Sequence, residues 1–260
     1  NPLPSPDYAR VVNNRLTQIT QYARQLAMQP ALINTASINA LDAVGLTEPD
    51  IVTLNQLVGF VSYQARVVAA LQAMMGLPVR WIPGVSPPAD AEAATLTQPA
   101  AWQHALKPVE LRYASAEQLA AVTFCQGMAE VDEAVWLLVH DAPVLYSWAT
   151  LQQRLQTHFT DEEALAQAVS ARILGCSRQF NQRAGDQREA LLIDVDKAGA
   201  DRPLIHVSAQ LVRMPERFSA AHLQPLLNAG WGTERIFTLL QAVAFASWQD
   251  RLFMALGEAR

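Results

Sequence analysis

Sliding the 260-residue sequence along itself by 185 positions lays Ile51–Leu71 over Ile236–Leu256. Eleven of the twenty-one positions are identical: Ile51/Ile236, Thr53/Thr238, Leu54/Leu239, Gln56/Gln241, Val58/Val243, Phe60/Phe245, Ser62/Ser247, Gln64/Gln249, Arg66/Arg251, Ala70/Ala255 and Leu71/Leu256. The shared set includes glutamine, serine and arginine, so two apolar helices of similar composition do not explain it. Two related modules, each ending on this helix, are the economical explanation. Ser62 and Arg66 stand four apart, as do Ser247 and Arg251, which sets each pair on one helical face where a hydroxyl and a guanidinium can share a partner. The repeated polar residues Gln56, Ser62, Arg66, Gln241, Ser247 and Arg251 are candidates for contact with a ligand or partner. The simpler reading is hydrogen bonds that close the helix against its own copy, because duplication preserves packing as readily as chemistry.

The surrounding pattern is helical. Val11, Val12, Leu16, Ile19, Tyr22 and Leu26 keep a helical spacing from Tyr8 to Ala27, stopped by Pro30, and a second helix over Ala31 to Val44 ends at Gly45. A third opens on Thr47 as N-cap with Asp50 three residues on and runs from Ile51 to Met75, before Gly76 and Pro78. Six of the fifteen prolines (Pro78, Pro83, Pro87, Pro88, Pro99 and Pro108) fall in 78–108, a stretch without apolar period that reads as a linker or crossing segment. Helical patterns return over Ala116–Met128, Val131–Val139, Val144–Gln156, Asp161–Gly175, Phe218–Ala229 and Thr233–Leu256. Ala190–Val195 and Leu204–Val207 are the two short strand candidates. The expected fold is all-α, with 1–77 the C-terminal part of a first module, 78–108 the linker and 109–260 a second module.

Composition narrows the function classes. With 51% hydrophobic and 17% charged residues the chain is globular, not disordered. Its two cysteines, Cys125 and Cys176, lie too far apart in sequence for a disulfide framework and make no zinc-binding spacing, which points to a reducing cytoplasm. A net charge of −5 without a Lys/Arg block argues against nucleic acid as partner. No continuous apolar run approaches the roughly 18 residues of a membrane span, and the start Asn-Pro-Leu-Pro-Ser-Pro is no signal peptide, so no membrane is expected. Asp194-Val-Asp196-Lys-Ala-Gly199-Ala-Asp201 begins like a calcium loop but lacks the later ligands, and His104, His140, His158, His206 and His222 are scattered. Neither metal nor cofactor is expected.

The informative stretch for chemistry runs from Thr160 to Cys176. It has an N-cap, acids in the first turn, an Ala/Val/Ser/Arg body and a Gly-Cys end, followed by Arg178 and Arg183. A cysteine past a helix end beside arginines is a candidate for a lowered thiol pKa. Leu96-Thr97-Gln98, Trp102, Ala114–Ala120, His140–Leu145 and the repeated helix with Asp50, Phe60, Tyr63 and Arg66 add to the pattern.

Together these segments resemble the AhpD-like, or carboxymuconolactone decarboxylase, superfamily, in particular its peroxidase-related branch. The resemblance covers most of residues 40–260. It implies tandem helical modules and an oxidoreductase acting on a peroxide or thiol through a glutamate-assisted relay and a pair of cysteines. Cys176 matches the first cysteine, while Ala164, Gln179 and Arg183 stand where the glutamate, second cysteine and histidine belong. The implied chemistry is then a one-cysteine cycle, with Cys176 oxidised to a sulfenic acid and recycled by an outside thiol. Arg172, Arg178 or Arg183 would hold the thiolate. Glu162 and Glu163 stand nearby, and helix-dipole complementation with a capping box on Thr160 accounts for them more simply. The alternative is a non-catalytic helical module for oligomerisation or for binding a small apolar ligand, and self-association is expected of such modules. The 185-residue offset carries Cys176 back to about nine residues before Asn1, so a longer native protein with a first redox helix upstream is expected.

Overall fold

The computed structural model describes residues 14–79, 96, 102–155, 160–200 and 202–259. The expectations for Tyr8 to Val12, for most of the Pro-rich segment, for Thr97 and Gln98, for His158 and for Asp201 lie outside these residues. The fold is all-α, as the periodicity predicts. In chain order the helices are α1 (Asn14–Ala27), α2 (Thr35–Asp42), α3 (Glu48–Met74), α4 (Ala116–Phe124), α5 (Val135–Leu138), α6 (Ala142–Leu155) and α7 (Asp161–Leu174). Then follow α8 (Ser177–Arg183), α9 (Arg188–Ile193), α10 (Val195–Ala200), α11 (Pro203–Arg213), α12 (Ala220–Asn228) and α13 (Thr233–Ala255). Two three-residue strands, β1 (Trp102–His104) and β2 (Gly257–Ala259), pair antiparallel with Trp102 opposite Ala259.

The correspondence at an offset of 185 extends beyond the long helix. α3 begins at Glu48 and α13 at Thr233, 185 residues on; Asn34 caps α2 and Ser219 caps α12, again 185 apart. Between them Gly45 (φ 82°) and Gly230 (φ 81°) take the same left-handed turn, which a side chain resists. Thus α1–α3 recur as α11–α13 without insertion or deletion up to the end of the long helix.

The two long helices pack on each other, and their contacts are reciprocal. Tyr63 meets Phe245 edge-on at 6.2 Å, while Trp248, which stands where Tyr63 does, meets Phe60 edge-on at 5.4 Å. Trp248 lies directly on Gly59, where a Cβ would fall inside the indole, and its Nε1–H donates to Gln56 Oε1 at 3.0 Å. The arginines are exchanged as well. Arg66 donates to the Val212 carbonyl at the end of α11 (2.6 Å), and Arg251 to those of Leu26 (3.1 Å) and Ala27 (3.3 Å) at the end of α1. Ala27 and Val212 are themselves 185 apart. Each arginine also returns to the serine carbonyl four residues back, at 3.0 Å for Ser62 and 2.8 Å for Ser247. A helix end leaves carbonyls without partners, and a cation there satisfies both the hydrogen bonds and the dipole. For Gln56, Arg66 and Arg251 the structure therefore shows packing contacts between the matching helices.

The main core gathers α3–α8 and α11–α13 around Trp148, Phe180 and Phe245, and a smaller cluster joins Tyr22, Leu26, Ile38, Leu41, Leu46 and Ile51. Several expectations need correction. The strand candidates Ala190–Val195 and Leu204–Val207 lie in helices α9 to α11, because Asp194 and Pro203 interrupt short helices whose apolar faces resemble alternation over so few residues. The strands instead fall at Trp102 and Gly257, where Gly257 admits the Trp102 ring and Trp102 Nε1–H donates to Phe253 O at 2.9 Å. The helix expected over Val131–Val139 shortens to α5 after a run of turns, and the second helix starts at Thr35 behind the Asn34 cap. Finally, α3 is long and apolar enough by length and composition to cross a membrane. A search for unbroken apolar runs misses it because Asn55, Gln56, Ser62, Gln64 and Arg66 interrupt the sequence.

Candidate functional site

Cys176 owes its place to the way α7 ends. Thr160 and Glu163 form a capping box, with Thr160 N–H donating to Glu163 at 2.8 Å, and this fixes the start of the helix. Gly175 (φ 89°) closes it, the Cys176 N–H donates to Ala171 O at 2.8 Å, and the chain turns at once into α8. The thiol ends up between α7, α8 and α13, with Cys176 only 2% exposed.

Around it lies a buried polar cluster. Asp250 of α13 accepts from Ser170 Oγ at 2.7 Å, and its other oxygen is 4.0 Å from Arg183 Nη1. Arg183 Nη2 donates to Gln249 Oε1 at 2.5 Å. Gln179 is fully buried, and among the described residues neither of its amide atoms has a hydrogen-bond partner. Burial pushes the Cys176 thiol pKa well up, and the Asp250 carboxylate pushes it further. The Gln179 backbone N–H and the charges of Arg183 and Arg178 act in the opposite direction and lose. This is the reverse of the lowering that the neighbouring arginines suggest in sequence. Burial also raises Asp250 to about 7, against the pull of Arg183 and of the Ser170 hydroxyl. Cys125 is a core residue whose thiol burial raises to about 11.

The other residues singled out in sequence have separate tasks. Arg172 donates to the carbonyls of Leu191 (3.2 Å) and Leu192 (3.4 Å), near the end of α9. Arg178 pairs with Glu133 at 3.1 Å and lies 4.2 Å over the Phe253 ring. Glu162 pairs with Arg235, which stacks on Trp231, and Glu163 is committed to its cap. Of the three arginines, Arg183 joins the polar cluster, through its hydrogen bond to Gln249 and its ion pair with Asp250. Ser247 approaches Ser170 at 3.4 Å, whereas Gln241 is half-buried elsewhere along α13. Asp250 is the residue that sequence reasoning missed. The signal was an acid between Gln249 and Arg251, both repeated, at a position where the other copy has Ala65.

A second feature lies on the far side of Arg66. α1 and α3 on one side and the segment from α9 to α11 with Met214 and Glu216 on the other enclose an open groove of about 1230 Å³. Leu57, Val58, Val61, Ser62 and Ala65 of α3 and Leu16, Ile19 and Ala23 of α1 form its apolar wall. Arg66 and Arg251 lie at its lining, with their guanidinium groups engaged by the helix-end and serine carbonyls described above. Among the described residues no group of three His, Cys, Asp or Glu side chains converges as a metal site would require. Comparison of the chain with protein-family models, with curated proteins and with solved structures finds no match.

Proposed function

We propose that the protein is a non-catalytic binding module that takes an apolar partner into the groove along α3. The carrying observation is an asymmetry between the copies. Leu57 and Val61 of α3, which line the groove, are 57% and 52% exposed, whereas Ala242 and Ala246, the same positions of α13, are 5% and 0% exposed. Exposed apolar side chains that wall a groove are the mark of a binding face. In this reading α1–α3 and α11–α13 belong to two tandem AhpD-like modules, and Cys176 is a core thiol.

The competing reading is the peroxidase-related oxidoreductase, and what favours it is Asp250, a buried acid beside the thiol with its pKa near neutrality. In that scheme the Cys176 sulfur attacks one peroxide oxygen. The thiol proton passes through Asp250 to the departing alkoxide, which leaves as an alcohol. The resulting sulfenic acid is then reduced by two equivalents of an external thiol, releasing water and a disulfide of that thiol. Against it stand the enclosure of Cys176 and the raised thiol pKa, because the thiolate is the attacking species.

Two measurements on the whole chain decide. The first is iodoacetamide alkylation and hydroperoxide consumption for the wild type and Cys176→Ser. We expect Cys176 to alkylate far more slowly than a free thiol at pH 8.5, with no serine-sensitive loss of peroxide; rapid alkylation near pH 7 with such a loss overturns the non-catalytic assignment. The second is titration with the apolar dye anilinonaphthalene sulfonate. Val61→Glu should remove most of the fluorescence gain, and an unchanged titration overturns the groove as binding face.

A further inference from the structure

The face of α3 that borders the groove corresponds, position for position, to the face of α13 that α7 covers. Ser170 of α7 touches Ser247 and Asp250, and the residues 185 earlier, Ser62 and Ala65, line the groove. The second half of the chain thus contains a filled version of the site that the first half leaves open. We propose that the groove is a docking site for an α-helix with the chemistry of α7: about four turns long, small-residue-rich on the face it presents, and carrying a cation in its first turn. The proposal rests on the groove-binding reading and specifies its partner.

Three features define that partner. The first is size. α7 has 14 residues, so a helix like it is about 21 Å long and about 10 Å across, or about 1650 Å³, and would fill the open groove of about 1230 Å³ with part of its outer face left in solvent. The second is the character of its contact face. Ser170 on α7 touches α13, and Ala166, one turn earlier on the same face, is small and buried as well. In the groove Leu57 and Val61 replace Ala242 and Ala246, so the visiting helix must again present alanine or glycine there. Ala65 replaces Asp250, which removes the acceptor that Ser170 uses and makes alanine sufficient at that point as well.

The third is charge. The first turn of α7 is held by Glu162 pairing with Arg235 of α13. The residue 185 earlier is Asp50, an exposed carboxylate at the start of α3 whose pKa the Thr47 cap holds below its usual value. An acid in the partner's first turn would meet this acid, whereas a lysine would pair with it. A fatty acid or similar amphiphile fits less well. Of the lining guanidinium groups, those of Arg66, Arg172 and Arg251 are engaged by backbone and serine oxygens and that of Arg213 by Asp196, and Arg66 Nε is too deeply buried to meet a carboxylate from the groove.

The test uses the whole chain and two fluorescein-labelled, lactam-stabilised peptides with the sequence Asp161–Leu174, both carrying Ser170→Ala and one also carrying Glu162→Lys. Binding is read by fluorescence anisotropy. The lysine peptide should bind saturably and about fivefold more tightly than the glutamate peptide, the scale of one exposed ion pair replaced by a like-charge contact. In the chain, Asp50→Lys should invert that order and Val61→Glu should abolish binding of both. If neither peptide saturates below about 100 μM while the apolar dye still fills the groove, the helix inference falls and the groove-binding reading stands; if the dye also fails to bind, both fall. Two other results overturn the helix inference. One is a concentration-dependent dimer in light scattering that Val61→Glu dissolves, which assigns the groove to a second copy of the chain. The other is sedimentation with phosphatidylcholine vesicles that Val61→Glu abolishes, which assigns it to a membrane.

Discussion

Gly59 is the point at which the two long helices come closest, and replacing it with alanine tests the packing that the duplication builds. Alanine raises helix propensity at an interior position by about 1 kcal/mol, so propensity alone predicts a stabilised protein. The structure predicts the opposite, because the new Cβ would lie inside the Trp248 ring. To admit it the indole must rotate away from Phe60 (5.4 Å), Tyr63 (5.9 Å) and Phe245 (5.9 Å) and release Gln56 Oε1. Weakened ring pairs cost about 0.5–1.5 kcal/mol each, and a buried amide oxygen left without its donor costs about 1–3 kcal/mol. With the propensity gain subtracted, Gly59→Ala should lose about 2–4 kcal/mol. Urea unfolding followed by tryptophan fluorescence and by circular dichroism measures this, provided the slope m is unchanged. Ala244→Gly, the same position in the other copy, is the control and should cost about 1 kcal/mol through propensity. A Gly59→Ala protein as stable as the wild type, to within about 0.5 kcal/mol, would refute the close approach.

Three further outcomes follow from the same contacts. Arg251→Met strips Leu26, Ala27 and Ser247 of a charged donor in a fully buried setting and should cost about 3–5 kcal/mol in urea unfolding; Arg66→Met, whose residue borders the open groove, should cost less. Asp250 has its folded pKa raised to about 7, so between about pH 4 and pH 7 the native state holds a proton that the unfolded state has lost. Its contribution is therefore fully present below about pH 4 and lost as pH rises through 7, by about 4 kcal/mol at most. Asp250→Asn should gain on the wild type between pH 5 and pH 8 in paired denaturation curves, and a difference that stays flat across that window contradicts the assignment. Leu57→Gln with Val61→Gln should leave the stability of the chain within about 0.5 kcal/mol of wild type while removing dye and peptide binding; a loss of several kcal/mol would show that these side chains support the fold itself.

The all-α fold was legible because its signals are local. Thr47 with Asp50 and Thr160 with Glu163 mark helix starts, and both boxes form where the spacing places them. The identical residues of α3 and α13 revealed the duplication but understated it, since α1/α11 and α2/α12 share few residues, among them Gln25/Gln210, Leu26/Leu211, Pro30/Pro215, Leu41/Leu226 and Gly45/Gly230. The site was legible only in part. Arginines close to Cys176 in sequence suggest a thiolate, yet Arg172 and Arg178 are aimed at helix ends and at Glu133, and a distant acid sets the thiol's surroundings. Sequence proximity cannot report which way a side chain leaves its helix, nor that burial outweighs a nearby cation.

The differences between the copies follow coverage. Under α7, α13 keeps Ala242 and Ala246, which let a helix approach, and it keeps an acid at 250 because Ser170 and Arg183 are there to meet it. On α3 the same positions are Leu57, Val61 and Ala65. A helix face turned only to water gains nothing from leucine and valine at half exposure, since apolar area returns about 25 cal/mol per Å² only when water leaves it. A glutamine or lysine would serve α3 as well there, with better solubility. An apolar wall shaped like the covered face of its own duplicate, but without the acid that needs specific neighbours, has the physical properties of a surface that is covered when the protein is at work.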